Sequence, residues 1–306
     1  VGLMATGGST NLVIHLIAIA KAAGIVLTLQ DISDVSAVTP LLVKLYPNGS
    51  ADVNRFHSLG GTAYLISELL DNGYLHADIP TIHPDGMSAY RLTPSLDEDG
   101  CLMYHHREFE YDSSVIRRFD ESFEPQGGLK LLQGNLGHAV VKISSVQEAE
   151  RFIKAPAKVF HSQSEIKAAF AAGQFDHDCV VVLRFQGPAA NGMPELHGLA
   201  PIFEAVRSFG IKIALLTDGR LSGASGSILS AIHLSPEAAS KGPISFIQDG
   251  DIITIDSNQG IVSIQADFTG REPAIEPTFE PGLGRELFSV FRQNVSSSEF
   301  GGNSLR

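Results

Sequence analysis

KIALLTDGRLSGASG, residues 212–226, is the stretch from which the fold can be read. Ile213, Ala214, Leu215 and Leu216 form an apolar run of core-strand length, and Thr217, Asp218 and Gly219 end it with turn chemistry. Beyond the turn Ser222 stands among Gly219, Gly223 and Gly226. Glycines let the backbone take positive φ and let a ligand approach the main chain closely, which is how a reactive hydroxyl is presented. The same residues also suit a glycine-rich strand-to-helix turn without chemistry, and this window alone leaves both readings open.

Working outward, a second strand has the same form. Residues 179–185 are nearly all apolar and run into QGPAANGMPE, residues 186–195, after which 195–209 read as a helix beginning at Glu195. The two loops together offer Glu195 as an oxygen ligand for a hard cation, and Asp218, Arg220 and Ser222 as polar groups. A serine beside a divalent metal can lose its proton and act as a base, while a carboxylate holds the metal that polarises a substrate oxygen. Strand-like runs at 131–135, 139–143, 158–160, 245–247, 252–255 and 261–264, with a helix at 164–172, predict a barrel or sandwich for this half.

The first half alternates helix and strand, which predicts α/β layering. TGGSTN, residues 6–11, opens the apolar helix LVIHLIAIAKAAG, so Ser9, Thr10 and Asn11 mark either an ordinary N-cap or a helix start with open N–H groups for an anion. His15 on that helix reads as a core histidine. Residues 25–29 read as a strand, 31–46 as a helix stopped by Pro47-Asn48-Gly49, and 62–72 as a further helix. Residues 79–126 lose helical periodicity and read as a linker, giving an N-terminal domain over 1–126 and a C-terminal domain over 127–306. The Ser-, Gly- and Asn-rich tail from 296 reads as frayed.

Composition sets limits on partners. A formal net charge of −12 leaves no basic stripe for nucleic acid. The apolar stretch at 12–29 is interrupted by His15, Lys21 and Gly24 and reads as buried helix and strand rather than a membrane span. Two cysteines, Cys101 and Cys179, without framework spacing suit a reducing cytoplasm. Neither His105-His106 nor the run Asp176, His177, Asp178, Cys179 has the spacing of a zinc motif, so both read as solvated turns. The chain opens at Val1, already approaching a helix, which leads us to expect a preceding N-terminal part.

Several motifs in order now carry a resemblance: TGGSTN with His15, YPNGSADVNRFHSLGG (46–61), LLQGNLGHAVVK (131–142), VVLRFQGPAANGMPELH (181–197), LLTDGRLSGASG (215–226), AIHLSPEA (231–238) and GPISFIQDGDIITID (242–256). Together they resemble the dihydroxyacid and sugar-acid dehydratase family over nearly the whole chain, and ADVNRFH with RFQGPAANGMPELH favours the branch acting on a phosphorylated sugar acid. The resemblance implies the end of an α/β/α sandwich domain followed by a β-barrel-like swivelling domain. It implies an iron–sulfur cluster and a Mg2+ or Mn2+ ion removing water from a 2,3-dihydroxy acid, in a homodimer. By motif match Glu195 would bind the divalent ion and Ser222 would be the base. Ser9, Thr10, Asn11 and Arg220 would meet the substrate. Cys101 and Cys179 match no cluster ligand, so the cluster ligands are expected upstream of residue 1. The competing expectation, from a different class, is a regulatory module that keeps an anion pocket without the cofactor half.

Overall fold

The computed structural model describes residues 1–106, 108–222, 227–278, 282 and 284–304. The expected positions of Gly223 and Gly226 lie outside them. Helices α1 (Gly2–Ala5), α2 (Asn11–Ala22), α3 (Leu29–Val38), α4 (Val53–Ser58) and α5 (Gly61–Asp71) precede a hairpin of β1 (Thr93–Leu96) and β2 (Leu102–His105). Then come β3 (Leu129–Gly134), β4 (Gly137–Lys142), β5 (Phe152–Phe160), α6 (Gln163–Ala171), β6 (Cys179–Leu183), α7 (Pro188–Asn191) and α8 (Ala200–Ser208). The chain continues through β7 (Ile213–Thr217), β8 (Ser230–Ser235), β9 (Ile252–Asp256), β10 (Ile261–Gln265) and α9 (Ser289–Asn294). Two compact units result: residues 1–8 with 34–128, and residues 9–33 with 129–306.

In the first unit Ala5, Leu42, Val43, Phe56, Leu59, Leu65, Leu69, Val115 and Ile116 share one core. The segment expected to be a linker therefore contributes structure. It supplies the β1–β2 hairpin and buries Val115 and Ile116, and Ile116 bridges Val43. The helix expected over 31–46 ends at Val38, because Pro40 cannot donate to a preceding turn and disfavours helical geometry in Thr39. The helix expected over 62–72 is α5.

The second unit holds a closed eight-stranded barrel in the order β10-β3-β4-β8-β7-β6-β5-β9. Strands β5, β6, β7 and β8 run parallel, while β3–β4, β4–β8, β5–β9 and β9–β10 are antiparallel. The uninterrupted apolar runs of β6 and β7 follow from burial on both faces. Val180, Val182, Ala214 and Leu216 belong to the core that includes Leu132, Val141, Ile253 and Val262. Cys179, Val181, Leu183, Ile213 and Leu215 pack with Ile166 of α6 and Phe203 and Val206 of α8. Burying each large aliphatic side chain contributes about 1.5–3 kcal/mol, so a charge in place of Val181 would break the layer against α6 and α8.

The structure departs from several sequence expectations for this unit. Residues 25–28 form no strand, and Ile25 and Val26 are exposed. Residues 243–246 form a 3₁₀ turn instead of a strand, with Pro243 fixing φ and the Ser245 hydroxyl donating back to the Gly242 carbonyl at 2.7 Å. Strand β8 was not expected at all. The tail is anchored: Ser298 is buried and its hydroxyl donates to the His233 carbonyl at 2.9 Å. Among the described residues no helix is long and apolar enough to cross a membrane.

Candidate active site at the strand ends of the barrel

Parallel strands deliver their loops at one end, and ligands in such sheets bind beyond the carboxyl ends of the strands. Here β6 leads into residues 184–195 and β7 into residues 218–222. Two buried carboxylates lock these loops together. Asp218, fully buried, accepts backbone N–H bonds from Phe185 (3.2 Å), Gln186 (2.9 Å) and Ala238 (2.9 Å). Glu237, just beyond β8, accepts from Ala189 (3.0 Å) and Ala190 (3.1 Å) at the start of α7. Gly187 and Gly219 permit this closeness. A Cβ on Gly187 would lie 2.3 Å from Glu237 Oε2, and one on Gly219 would lie 2.6 Å from Gln186 Cβ. Gly219 thus serves close approach, and it does not take the positive φ expected for it. Burial pushes the Asp218 carboxyl up to about 6 against its three N–H donors and moves Glu237 upward as well. Asp218, which the sequence offered as a polar group of this loop, is thus enclosed by backbone donors and holds the loops together.

The locked loops bring together three residues singled out in the sequence. Glu195 Oε1 accepts the Ser222 N–H at 2.8 Å and the His197 N–H at 3.0 Å, while Glu195 Oε2 lies 3.4 Å from Arg220 Nη1. Arg220 Nε donates to the Met193 carbonyl at 2.6 Å. Glu195 precedes the helix it was expected to open, since a 3₁₀ turn at His197–Leu199 comes before α8. Phe185 (φ 63°) and Met193 (φ 54°) hold left-handed backbone that non-glycine residues rarely adopt, strain that tends to persist at functional sites.

The start of α2 joins this cluster. The Thr10 hydroxyl, buried, donates to the Leu221 carbonyl at 2.8 Å, so Thr10 ties the helix to the Ser222 loop and makes no side-chain cap. The open N–H groups expected at this helix start are used internally. Asn11 N–H donates to Ser9 Oγ at 3.2 Å, Leu12 N–H to the Ser9 carbonyl at 3.1 Å and Val13 N–H to the Thr10 carbonyl at 3.1 Å. Asn11 Oδ1 is buried without a partner. A pocket of about 370 Å³ lies here, lined by Asn11, His15, Pro188, Met193, Arg220 and Gly302 among others. His15 is exposed and faces this pocket, so it is not the core histidine expected.

Sequence reasoning missed His233 in β8. It is buried at φ 57°, and neither ring nitrogen has a partner. Burial and the charge of Arg220 hold its pKa down to about 3, so the ring is neutral. AIHLSPEA counted only towards the family pattern; a histidine inside an otherwise apolar run was the available signal.

The implied cofactors fit poorly. Among the described residues no three His, Cys, Asp or Glu side chains gather as a metal site, and Glu195 is a lone carboxylate whose Oε1 already accepts two N–H bonds. Cys179 is buried with its thiol pushed up to about 11 by desolvation, and Cys101 is exposed in the loop before β2. An iron–sulfur cluster needs several converging thiolates, and these two cysteines do not provide them. Asp176 and His177 pair with each other at 2.6 Å on the surface, as solvated turns do.

Comparison with known proteins agrees with the sequence patterns. Residues 114–302 match the family model described as Dihydroxy-acid/6-phosphogluconate dehydratase C-terminal, and residues 1–90 match its N-terminal counterpart. The chain is similar to phosphogluconate dehydratase of Rhizobium meliloti (strain 1021), 48% identical over 100% of this chain and 51% of the relative. It is 47% identical to that of Escherichia coli (strain K12), over 100% and 51% respectively. A dihydroxy-acid dehydratase of Sulfurisphaera tokodaii is 35% identical over 98% of this chain and 52% of its own length. The chain spans about half the length of these curated relatives.

Proposed function

This chain belongs to the dihydroxy-acid/6-phosphogluconate dehydratase family, and from that premise we propose that it is part of a hydro-lyase converting 6-phospho-D-gluconate to 2-dehydro-3-deoxy-6-phosphogluconate, the dehydration step of the Entner–Doudoroff pathway. The supporting observation is the cluster of Glu195, Arg220 and Ser222 beside the 370 Å³ pocket, at the strand ends of a closed barrel. The higher identity to phosphogluconate dehydratases than to the dihydroxy-acid dehydratase supports the choice of substrate.

In this reading the C2–H and C3–O bonds of the acid break, the C3 hydroxyl departing with one proton as water, and the resulting enol tautomerises to the 2-keto product. Ser222 Oγ takes the C2 proton. Arg220, partly neutralised by Glu195 on one side, attracts the anionic acid, while Ser9, Thr10 and Asn11 at the start of α2 border the bound chain. Glu195 orients the Ser222 backbone through Oε1, and were further ligands supplied from outside the described residues, it would be the one carboxylate of this cluster able to hold a Mg2+ or Mn2+ ion. The iron–sulfur cluster and the remaining metal ligands belong, in this proposal, to residues other than those described, and no step is assigned to them. We read the unit of residues 1–8 with 34–128 as the remainder of an α/β/α sandwich domain, the barrel unit of 9–33 with 129–306 as the swivelling domain, and the whole enzyme as a cytoplasmic homodimer.

The test uses protein spanning the full length of the relatives, loaded anaerobically with iron and sulfide. It should form 2-keto acid from 6-phosphogluconate much faster than from a branched 2,3-dihydroxy acid. Absence of product, or the reverse preference, refutes the assignment.

A further inference from the structure

Buried polar atoms in folded proteins almost always have partners, and those that do not call for a ligand, a water or a functional account. Of the residues with such atoms, Asn11 lines this pocket and His233 lies beside it, bonded through its backbone to Gly219 next to Arg220. His233 has both ring nitrogens unsatisfied, and Asn11, which lines the pocket, has an unsatisfied Oδ1. His233 feels the charges of both Arg220 and His15, two pocket-lining residues, and its N–H donates at 2.9 Å to the carbonyl of Gly219, next to Arg220. Its backbone is held in place by the Gly219 carbonyl on one side and the Ser298 hydroxyl on the other, at φ 57°. A side chain kept without partners on strained backbone is the pattern of a pre-organised binding group.

The missing partners have a definite chemistry. A neutral imidazole presents one N–H donor and one acceptor nitrogen, and the Asn11 oxygen is a further acceptor. A phosphate or carboxylate only accepts, so it would satisfy the imidazole N–H and leave the two acceptors bare. Hydroxyl groups both donate and accept, and two neighbouring ones can serve a donor and two acceptors together. Resting on the reading of this pocket as a sugar-acid site, we infer that His233, with Asn11, is a substrate-contacting residue that hydrogen-bonds adjacent hydroxyls of the polyhydroxy acid. His233 is 1% exposed, so a ligand in the pocket reaches its ring by displacing the side chains that cover it. This division of labour gives Arg220 the charge of the acid and His233 its hydroxyl pattern, so an acid without hydroxyls gains nothing from His233.

The experiment uses residues 1–306, with gluconate as the probe and hexanoate as a six-carbon acid lacking hydroxyls. Histidine side chains are labelled with ¹⁵N, and affinity is measured by calorimetry. Gluconate should move the His233 ring resonances, and His233→Ala should weaken gluconate about tenfold, the scale of one or two neutral hydrogen bonds. Hexanoate binding should be unchanged by the substitution. His233→Asn, which tolerates positive φ and keeps a donor and an acceptor, should recover part of the loss. If His233→Ala fails to fold, the ring titration in the unaltered chain decides alone. Ring signals that gluconate leaves unmoved, or an alanine variant with unaltered gluconate affinity, overturn the inference and leave the proposed reaction standing. Failure of the unaltered chain to bind gluconate overturns the sugar-acid reading of the pocket along with it.

Discussion

Replacing Asp218 tests whether the active loops are held by a buried carboxylate. Three backbone N–H groups, from Phe185, Gln186 and Ala238, end on it, and the side chain has no exposure. Alanine leaves all three donors without a partner, each costing about 1–3 kcal/mol. Against this stands the cost of burying the charge. A carboxyl moved from 3.8 to about 6 carries, at neutral pH, roughly 3 kcal/mol of unfavourable charge burial that alanine removes. The balance is a net loss of about 3 kcal/mol at pH 7. Asparagine keeps an oxygen that accepts two of the N–H bonds and also removes the charge, so it should lie within about 1 kcal/mol of the parent.

The pH dependence separates this account from simple packing. Because the folded pKa of Asp218 is raised, the folded state binds the proton more tightly, and the stability linked to this group falls as pH rises from 3.8 to about 6. Going from pH 7 to 4.5, the parent should therefore gain about 2 kcal/mol relative to Asp218→Asn, which has nothing to titrate. Glu237 shifts in the same direction in both proteins and largely cancels in the comparison. Urea unfolding followed by circular dichroism at the two pH values, with hydrogen exchange of the β6 and β7 amides to localise the loss, measures both effects. An alanine variant less than 1 kcal/mol below the parent at pH 7, or an asparagine difference flat with pH, refutes the reasoning.

Other outcomes follow from the same site. In the full-length, cluster-loaded protein Ser222→Ala should keep its fold and metal content while turnover drops about 10²- to 10⁴-fold; near-normal turnover means another base. Glu195→Gln keeps an oxygen for the Ser222 and His197 N–H groups and loses only a half-exposed ion pair, so unfolding should change by less than about 1 kcal/mol while the requirement for Mg2+ or Mn2+ rises; unaltered metal dependence argues against Glu195 as a ligand. With a thiol reagent at pH 8, native residues 1–306 should show one fast thiol, the exposed Cys101, and one that reacts only on unfolding, the buried Cys179. Anaerobic treatment of the same chain with iron and sulfide should yield no stoichiometric cluster, as read by absorbance and metal analysis.

The barrel was legible where strands are buried on two sides. Residues 213–216 and 179–183 read as strands because both faces are apolar, and each face proves to have its own core. Strand β8 was missed for the opposite reason. Ser230, His233 and Ser235 are buried yet polar: Ser230 donates to the nearby Ile228 carbonyl, Ser235 is satisfied by the distant Ser298 and the His233 ring has no partner, so no local apolar pattern announces the strand. At residues 25–28 hydrophobicity alone suggested a strand that the fold does not make, whereas at 243–246 a proline overrode it.

The site shows the same limit in sharper form. Asp218, Glu195 and Glu237 are three acids in loops that follow strands, and residue type alone does not divide them. What divides them is the direction of backbone N–H groups contributed by other loops. Asp218 and Glu237 are enclosed by such donors and spend their charge on holding residues 185–190 and 238 in place. Glu195 also accepts two N–H bonds, but it stays half-exposed and is the one acid that meets a guanidinium at the rim. The interior pair explains how Phe185 can hold strained backbone, and the loop fixed by that pair carries Met193 and Glu195 to Arg220 and Ser222. Scaffold and chemistry are thus built from the same residue type, and only the fold assigns which acid does which.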